Sequence, residues 1–318
     1  MSNWLLRVVG LLLMLTALVL SYSHMPDRPV EALVARWAPP PSDFIEVKGQ
    51  LVHLRDEGPR GDTTPIVLLH GTSASLHTWE GWARELKTRR RVISFDLPGF
   101  GLTGPFSGQY TPDDYRGDSY ARFVLDVLDV LKVPRVVLGG NSLGGEIAWR
   151  VATLAPERVE RLILVDASGT DFMPESVPAG FVMASLPVLG WISQHVLPRE
   201  LVAQGLANVY GDPSRVTPAL VDRYYELTLR DGNRRALGQR LRQLQHGQDV
   251  ARIGTVRQPT LIVWGARDRL IPPAVAQEFE RRIAGSQRVV LDGLGHVPHE
   301  EDPARSLVPV KAFLGWAP

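Results

Sequence analysis

Short apolar runs alternate with amphipathic helical stretches along most of this chain, and that rhythm restricts its fold more than any other feature. Ile66-Val67-Leu68-Leu69, Val92-Ile93-Ser94-Phe95, Val136-Val137-Leu138, Leu162-Ile163-Leu164-Val165, Leu261-Ile262-Val263-Trp264 and Val289-Val290-Leu291 are too short for buried helices and read as strands. Between them, stripes such as Tyr120, Phe123, Val124, Val127, Leu128 and Leu131 recur every three or four residues and predict helices. An opening pair of runs, Phe44–Val47 and Gln50–Leu54, is joined by Lys48-Gly49 and predicts a hairpin. Strand and helix in strict turn require right-handed crossovers, hence a mostly parallel, doubly wound α/β sheet with helices on both faces. The rhythm breaks once. From Phe172 to Val250 the pattern is helical with Pro and Gly punctuation and no strand. Residues 43–168 and 256–318 are therefore expected to form the core, and 169–255 a helical cap inserted after the sixth strand.

The N-terminus follows neither pattern. Val8 to Leu20 carries no charge and is preceded by Arg7, so residues 1–25 read as a signal peptide or a membrane anchor. Ser21-Tyr22-Ser23 is a weak cleavage pattern, which leaves the choice open. Positive charge ahead of the run places the body outside the cytoplasm, exported or membrane-anchored, on the periplasmic side in a bacterium. Residues 26–42 contain Pro26, Pro29 and Pro39-Pro40-Pro41 and read as a semi-extended linker, with one turn of helix between Val30 and Trp37. Lys plus Arg (35) nearly balance Asp plus Glu (34), so no overall field recommends nucleic acid as a partner. The absence of cysteine removes thiol nucleophiles, thiolate metal sites and disulfides together.

Chemistry concentrates at the ends of the expected strands. Gly140-Asn141-Ser142-Leu143-Gly144 lies between a strand and a helix. A serine on so sharp a turn has a strained backbone, and side chains two positions to either side would collide, which explains both glycines. The helix that follows aims free N–H groups and a partial positive charge at the reacting centre. Four more segments stand in order: His70-Gly71-Thr72, Asp96-Leu97-Pro98-Gly99-Phe100-Gly101, Trp264-Gly265-Ala266-Arg267-Asp268 backed by Ile271-Pro272, and Gly295-His296 followed by Glu301 and Pro303.

Together these motifs make residues 43 to 315 resemble the α/β-hydrolases, the broad family of esterases, lipases and C–C bond hydrolases, with the cap matched in position alone. The resemblance implies Ser142 as nucleophile, His296 as base and Asp268 as the acid that orients it, in the chain order Ser, Asp, His typical of that fold. Backbone N–H groups of Thr72 and Leu143 are expected to form the oxyanion hole. Neither a cofactor nor a metal is expected. Asp166 also ends a strand and is a rival for the acid, while Asp96 fits a turn-stabilising carboxylate and His70 a structural role. His299 stands three residues past His296 without a third ligand at a metal-site spacing; His77, His195 and His246 have no assigned role, although His195 could face the pocket.

In the cap, Arg230, Arg234, Arg235, Arg240 and Arg242 read as a solvated helix face, with anionic lipid or an acidic substrate as other partners. Phe172, Met173, Phe181, Met183, Leu186, Leu189 and Trp191 read as cap core or as the wall of an acyl pocket. The first expectation is a hydrolase for a moderately apolar carboxylic ester, acting through an acyl-enzyme and associated with membrane through its N-terminus. Cleavage of C–C bonds in ring-fission products is the alternative, although Ser73-Ala74-Ser75 replaces the Gly-Pro-rich oxyanion loop frequent in those enzymes. A non-catalytic binding protein on the same scaffold is the third reading, and a complete triad speaks against it.

Overall fold

The computed structural model describes residues 3–22, 24–245 and 247–316; Ser23 and His246, named above, lie outside them. Eight strands form one sheet: β1 Ser42–Val47, β2 Gln50–Glu57, β3 Ile66–Leu69, β4 Val92–Phe95, β5 Val136–Asn141, β6 Val159–Val165, β7 Thr260–Gly265 and β8 Gln287–Leu291, in the order β1-β2-β4-β3-β5-β6-β7-β8. The β1–β2 hairpin is antiparallel and turns through Lys48 and Gly49, both at positive φ; β2 is also antiparallel to β4, and every later pairing is parallel.

Side chains alternate between the sheet's faces with a period of two. Val67, Leu69, Leu162, Leu164, Ile262 and Trp264 face one cluster, which includes α4 Gly117–Val130, α5 Leu143–Leu154 and α12 Ala274–Arg282. Ile66, Leu68, Ile163, Val165, Leu261 and Val263 face the other, with α3 Glu80–Leu86 and α14 Pro303–Phe313. Burial on both faces explains why these strands read as unbroken apolar runs.

Between β6 and β7 the chain forms the cap: α6 Ala179–Ser185, α7 Pro187–Ser193, α8 Arg199–Val209, α9 Pro218–Thr228, α10 Asn233–Gln243 and the short α11 Val250–Ile253. The last named helix, α13 Pro298–Glu301, follows the β8 loop. Two cap arginines are not solvated as expected. Arg234 and Arg240 are each 4% exposed, because each has a carboxylate to meet: Asp27 for Arg234 and Glu146 for Arg240.

The N-terminal region also departs from a plain linker. Helix α1, Asn3–Tyr22, carries exposed apolar side chains including Trp4, Leu6, Leu11, Leu13 and Met14. Among the described residues no helix is long and apolar enough to cross a membrane, so the anchor reading gains no support. Residues 24–37 form an arm laid across the cap. His24 bridges Val196, Met25 N–H donates to His195 O, Arg28 N–H to Leu229 O, and Asp231 N–H back to Arg28 O. Helix α2, Glu31–Trp37, is two turns rather than the expected one. Leu33 packs with Leu102 and Leu227 on one side, and on the other Arg36 Nη1 and Trp37 Nε1 both donate to Glu226, at 2.5 and 2.7 Å. That burial supplies the stability that so short a helix lacks alone.

Candidate active site

Ser142 occupies the turn from β5 into α5 at φ 54° and ψ −114°, a conformation that costs an L-residue about 1–3 kcal/mol. The glycines beside it are required by contact. A Cβ on Gly140 would lie 2.2 Å from the Gly144 backbone, and one on Gly144 would lie 2.1 Å from Leu69 O. Leu143 begins α5, so its N–H is among the first-turn donors that have no partner within the helix. Thr72, from the loop after β3, lines the same cavity as Ser142, Leu143 and His296.

Asp268 follows β7 and His296 follows β8, and the two loops approach closely enough that a Cβ on Gly265 would lie 1.9 Å from Gly295 O. His296 Nδ1 donates to Asp268 Oδ2 at 2.7 Å, in a pair almost wholly buried. The carboxylate can only accept, so the ring proton sits on Nδ1 and Nε2 carries the free lone pair of a base. Asp268 Oδ1 accepts from Leu270 N–H and Ile271 N–H, each at 2.9 Å, which fixes the carboxylate plane. Asp166 joins this group. Its oxygens, those of Asp268 and the His296 nitrogens include one atom each within 4.8 Å of one another. Such a trio could hold a metal by spacing, but the direct His296–Asp268 hydrogen bond is the arrangement of an acid–base pair.

Other expected residues take supporting places. Asp96 is a buried hub: Oδ1 accepts from Leu76 N–H, Oδ2 from Leu102 N–H and from His53 Nδ1, all at 2.7 Å. Burial alone would raise its pKa, yet the imidazole of His53 and the hydrogen bonds hold it well below the usual carboxylate range. His70 donates from Nδ1 to Gly71 O and accepts at Nε2 from Leu97 N–H, so it ties the oxyanion loop to the Asp96 turn; burial lowers its pKa. His299 is fully buried against Trp79, with ring centroids 4.0 Å apart. His195 stacks on His24 at the arm instead of facing the pocket.

Three contributors have no role assigned to them in the sequence analysis. Asn141 donates through Nδ2 to His296 O at 2.9 Å, which joins the elbow to the base loop. Glu301 accepts from Gly295, Gly211 and Asp212 N–H, at 2.8, 3.0 and 2.8 Å, and so braces the base loop against the cap. Glu146, in the first turn of α5, receives Arg150 from its own helix and Arg240 from the cap. The positions of Asn141 and Glu301 beside the motifs were a signal; the Arg240 contact, 94 residues away in sequence, was not.

Above Ser142 lies a cavity of about 380 Å³ between sheet and cap. Phe172, Phe181, Met183, Val196, Leu201 and Leu206 line its cap side. Thus part of the apolar cap segment walls a pocket, while Met173 and Trp191 are 85% and 65% exposed. Both arginines at this cavity are engaged: Arg240 donates to Glu146 and to Tyr115 O, and Arg234 to Asp27 and Met25 O.

A parallel sheet with a strained serine elbow, a buried Asp–His pair at adjacent strand ends and a capped apolar cavity defines a class of hydrolases. The chain belongs to the α/β-hydrolase fold family, whose model matches residues 64–303, and it is a hydrolase. It is 32% identical to an uncharacterized protein of Mycobacterium tuberculosis over 293 residues, covering 87% of this chain and 82% of that one. It is 30% identical to the 2-hydroxy-6-oxo-2,4-heptadienoate hydrolase of Pseudomonas putida, over 74% of this chain and 83% of the relative. Among solved structures, a membrane phospholipase A described as a bacterial virulence factor superposes with a TM-score of 0.70 at 25% identity, over 99% of this chain and 98% of its own.

Proposed function

We propose that the protein cleaves a carboxylic ester carrying a moderately apolar acyl chain, with Ser142 as nucleophile, His296 as general base and Asp268 as its orienting acid. Attack by Ser142 Oγ on the ester carbonyl passes its proton to His296 Nε2, and the imidazolium returns it to the departing alcohol. The Thr72 and Leu143 N–H groups stabilise the oxyanion; loss of one such donor costs about 100- to 1,000-fold in turnover. Water then enters, is deprotonated by His296, and releases the acid.

The observation that carries this reading is the cavity itself: its cap wall is apolar, and both of its guanidinium groups are already spent on protein carboxylates and carbonyls. A free carboxylate on a substrate would find little to meet there. The second reading, C–C cleavage of an acidic ring-fission product, is favoured by the Pseudomonas putida relative and by one buried nitrogen, Arg234 Nη1, without a hydrogen-bond partner among the described residues.

The test compares hydrolysis of p-nitrophenyl esters from acetate to decanoate by wild type and Ser142→Ala. Chain-length-dependent turnover that vanishes in the variant is expected. Absence of ester turnover, together with consumption of a 2-hydroxy-6-oxo-dienoate, would instead establish the second reading.

Placement outside the cytoplasm at a lipid surface is proposed with it. The likeness to the membrane phospholipase covers 99% of this chain, against 74% for the dienoate hydrolase, and α1 holds its apolar side chains outward. Flotation of the full chain, but not of a chain starting at His24, with phospholipid vesicles is the expected result. Equal recovery of both in the soluble fraction would refute it.

A further inference from the structure

The catalytic pair has a buried neighbour that its mechanism leaves unused. Asp166 sits at the C-terminal end of β6, next to the strand whose loop carries Asp268, and it is wholly inaccessible. Its backbone is held at φ 44°, a left-handed conformation unusual outside glycine. One oxygen, Oδ1, accepts from Gly265 N–H at 2.9 Å. The other, Oδ2, is buried and accepts no hydrogen bond from an N–H or O–H group among the described residues. Asp268 stands close by, 2% exposed, with two backbone N–H groups on one oxygen and His296 on the other.

Two ionised carboxylates this close, out of water, repel strongly, so the pair holds a proton between them. The donors decide where it resides. Asp268 faces three N–H groups and is stabilised as an anion, whereas Asp166 faces one. We propose that Asp166 is the protonated member of a carboxyl pair, a positioning residue that offers its O–H to Asp268 and serves as a reserve acid for His296. Burial, with the charge of Asp268 added, raises the Asp166 pKa well above the carboxylate range. The remaining acidic group near it is Glu301 of α13, whose oxygens are taken by Gly211, Asp212 and Gly295 N–H.

Protonation has a functional consequence. An ionised Asp166 would place a second negative charge near His296, hold it as imidazolium and withdraw it as a base. Neutral, it leaves a single carboxylate to orient the ring. Removal of the Asp268 charge alters the balance: the like charge that kept Asp166 protonated is gone, and Asp166 can ionise in its place.

This proposal rests on the hydrolytic reading of the site, so its test uses no ester. A fluorophosphonate that labels an activated serine reads the Ser142–His296 machinery directly, and Ser142→Ala provides the background. Labelling rates of the full chain are measured from pH 5 to 10 in wild type, Asp166→Asn, Asp268→Asn and the double variant, with thermal melting as a check on folding. A carboxamide mimics the protonated acid, so Asp166→Asn is expected to keep the acid limb of its labelling profile unmoved. Asp268→Asn is expected to lose about 100-fold, and the double variant about 10,000-fold, the loss seen when a triad acid has no substitute. Two results overturn the proposal. One is an acid limb displaced downward by about one pH unit in Asp166→Asn, which would mean that an ionised Asp166 had been raising the His296 pKa. The other is equal labelling by Asp268→Asn and the double variant. Should Asp268→Asn fail to fold, the Asp166→Asn pH profile decides alone. Should wild type label but turn over no ester, the ester reading fails and this one stands.

Discussion

The sheet core and the cap bury their apolar side chains in different ways. In the core β3, β4, β5 and β7 are buried along their length and β6 from Leu162 onward, and two clusters close over the two faces of the sheet. In the cap, helices surround a cavity and leave Met173, Leu186 and Trp191 exposed on the far side. The core is held by packing; the cap is joined to the core by apolar contacts such as Ala236 and Val297, by directional contacts, Arg240–Glu146 and Glu301 to Gly211 and Asp212, and by the arm laid over it. Packing of the first kind places catalytic groups to within fractions of an ångström, as an oriented serine, imidazole and carboxylate require. A hollow cap can differ in shape between relatives without moving that chemistry. Reaction type therefore belongs to the core, and choice of substrate to the cap.

Substitution on either side of the cavity sharpens the division most. His296→Ala removes the base and is expected to reduce ester turnover by about 10,000-fold or more at every chain length. Phe181→Ala, on the cap wall, is expected to leave acetate turnover within about threefold and to shift relative kcat/KM for the longest chains by about tenfold, the scale of one or two methylenes in an apolar pocket. A loss uniform with chain length in Phe181→Ala would mean that the cap takes part in the chemistry.

Stability divides in the same way. Trp264 on β7 is wholly buried and donates through Nε1 to Ile271 O at 2.9 Å, so Trp264→Ala is expected to cost about 3–5 kcal/mol in urea unfolding. Trp191→Ala, on the outer face of α7, is expected to stay within about 0.5 kcal/mol. Between these extremes is Arg240→Met. It strips the cap's partner from Glu146, which keeps Arg150, so about 3 kcal/mol is expected, the low end for a broken buried pair. If Arg240→Met unfolds the cap before the core, two transitions by near-ultraviolet and far-ultraviolet circular dichroism will show it.

The core and the presence of a helical cap after β6 were legible in the sequence, and the cap's arrangement was not, for a physical reason. A strand buried on both faces leaves an apolar run, and a strained elbow leaves Gly140 and Gly144 around Ser142; both marks are local. The cap's arrangement depends on pairs far apart in the chain. Arg234 and Arg240 lie in the most hydrophilic cap helix and look like a solvated face until Asp27 and Glu146 arrive from 207 and 94 residues away. The arm was misread likewise. Three consecutive prolines argue for an extended linker, and nothing local reveals that Leu33 would be buried or that Glu226 would receive both Arg36 and Trp37.

The arm's junction with the core carries a pH signature. His77 Nε2 donates to Trp37 O at 2.7 Å and Nδ1 accepts from Ser75 Oγ at 3.0 Å, so the ring is neutral where it joins α2 to the loop before α3. Burial, opposed in part by the charge of Asp96, lowers its pKa from 6.5 to about 4. A histidine depressed in the folded state contributes stability that is complete above pH 6.5 and is lost as pH falls through 4, because the unfolded chain takes up the proton first. The expected loss is at most about 3 kcal/mol between those limits, and His77→Gln should flatten it. Unchanged pH dependence in that variant would assign the acid sensitivity to other groups.

A smaller and local effect is expected at the other end of the arm, and it separates attachment from catalysis. Asp27 is about a third exposed and pairs with Arg234, which is buried; Gly232 N–H donates to the same carboxylate. Asp27→Asn keeps the shape and an acceptor but leaves the guanidinium without its anion, so about 1–2 kcal/mol of local stability should be lost. The loss is confined to contacts between arm and cap, so it should register as faster amide exchange at Met25, Arg28 and Asp231, the three donors that join the strands of chain there. Amides of β5 and β7 should exchange as in wild type, and acetate turnover should be unchanged. Decanoate turnover is the sensitive measure, since Arg234 also borders the cavity and a loosened α10 alters its depth. Faster exchange in the core strands would show that the arm supports the whole fold rather than the cap alone, and would remove the distinction between the two regions.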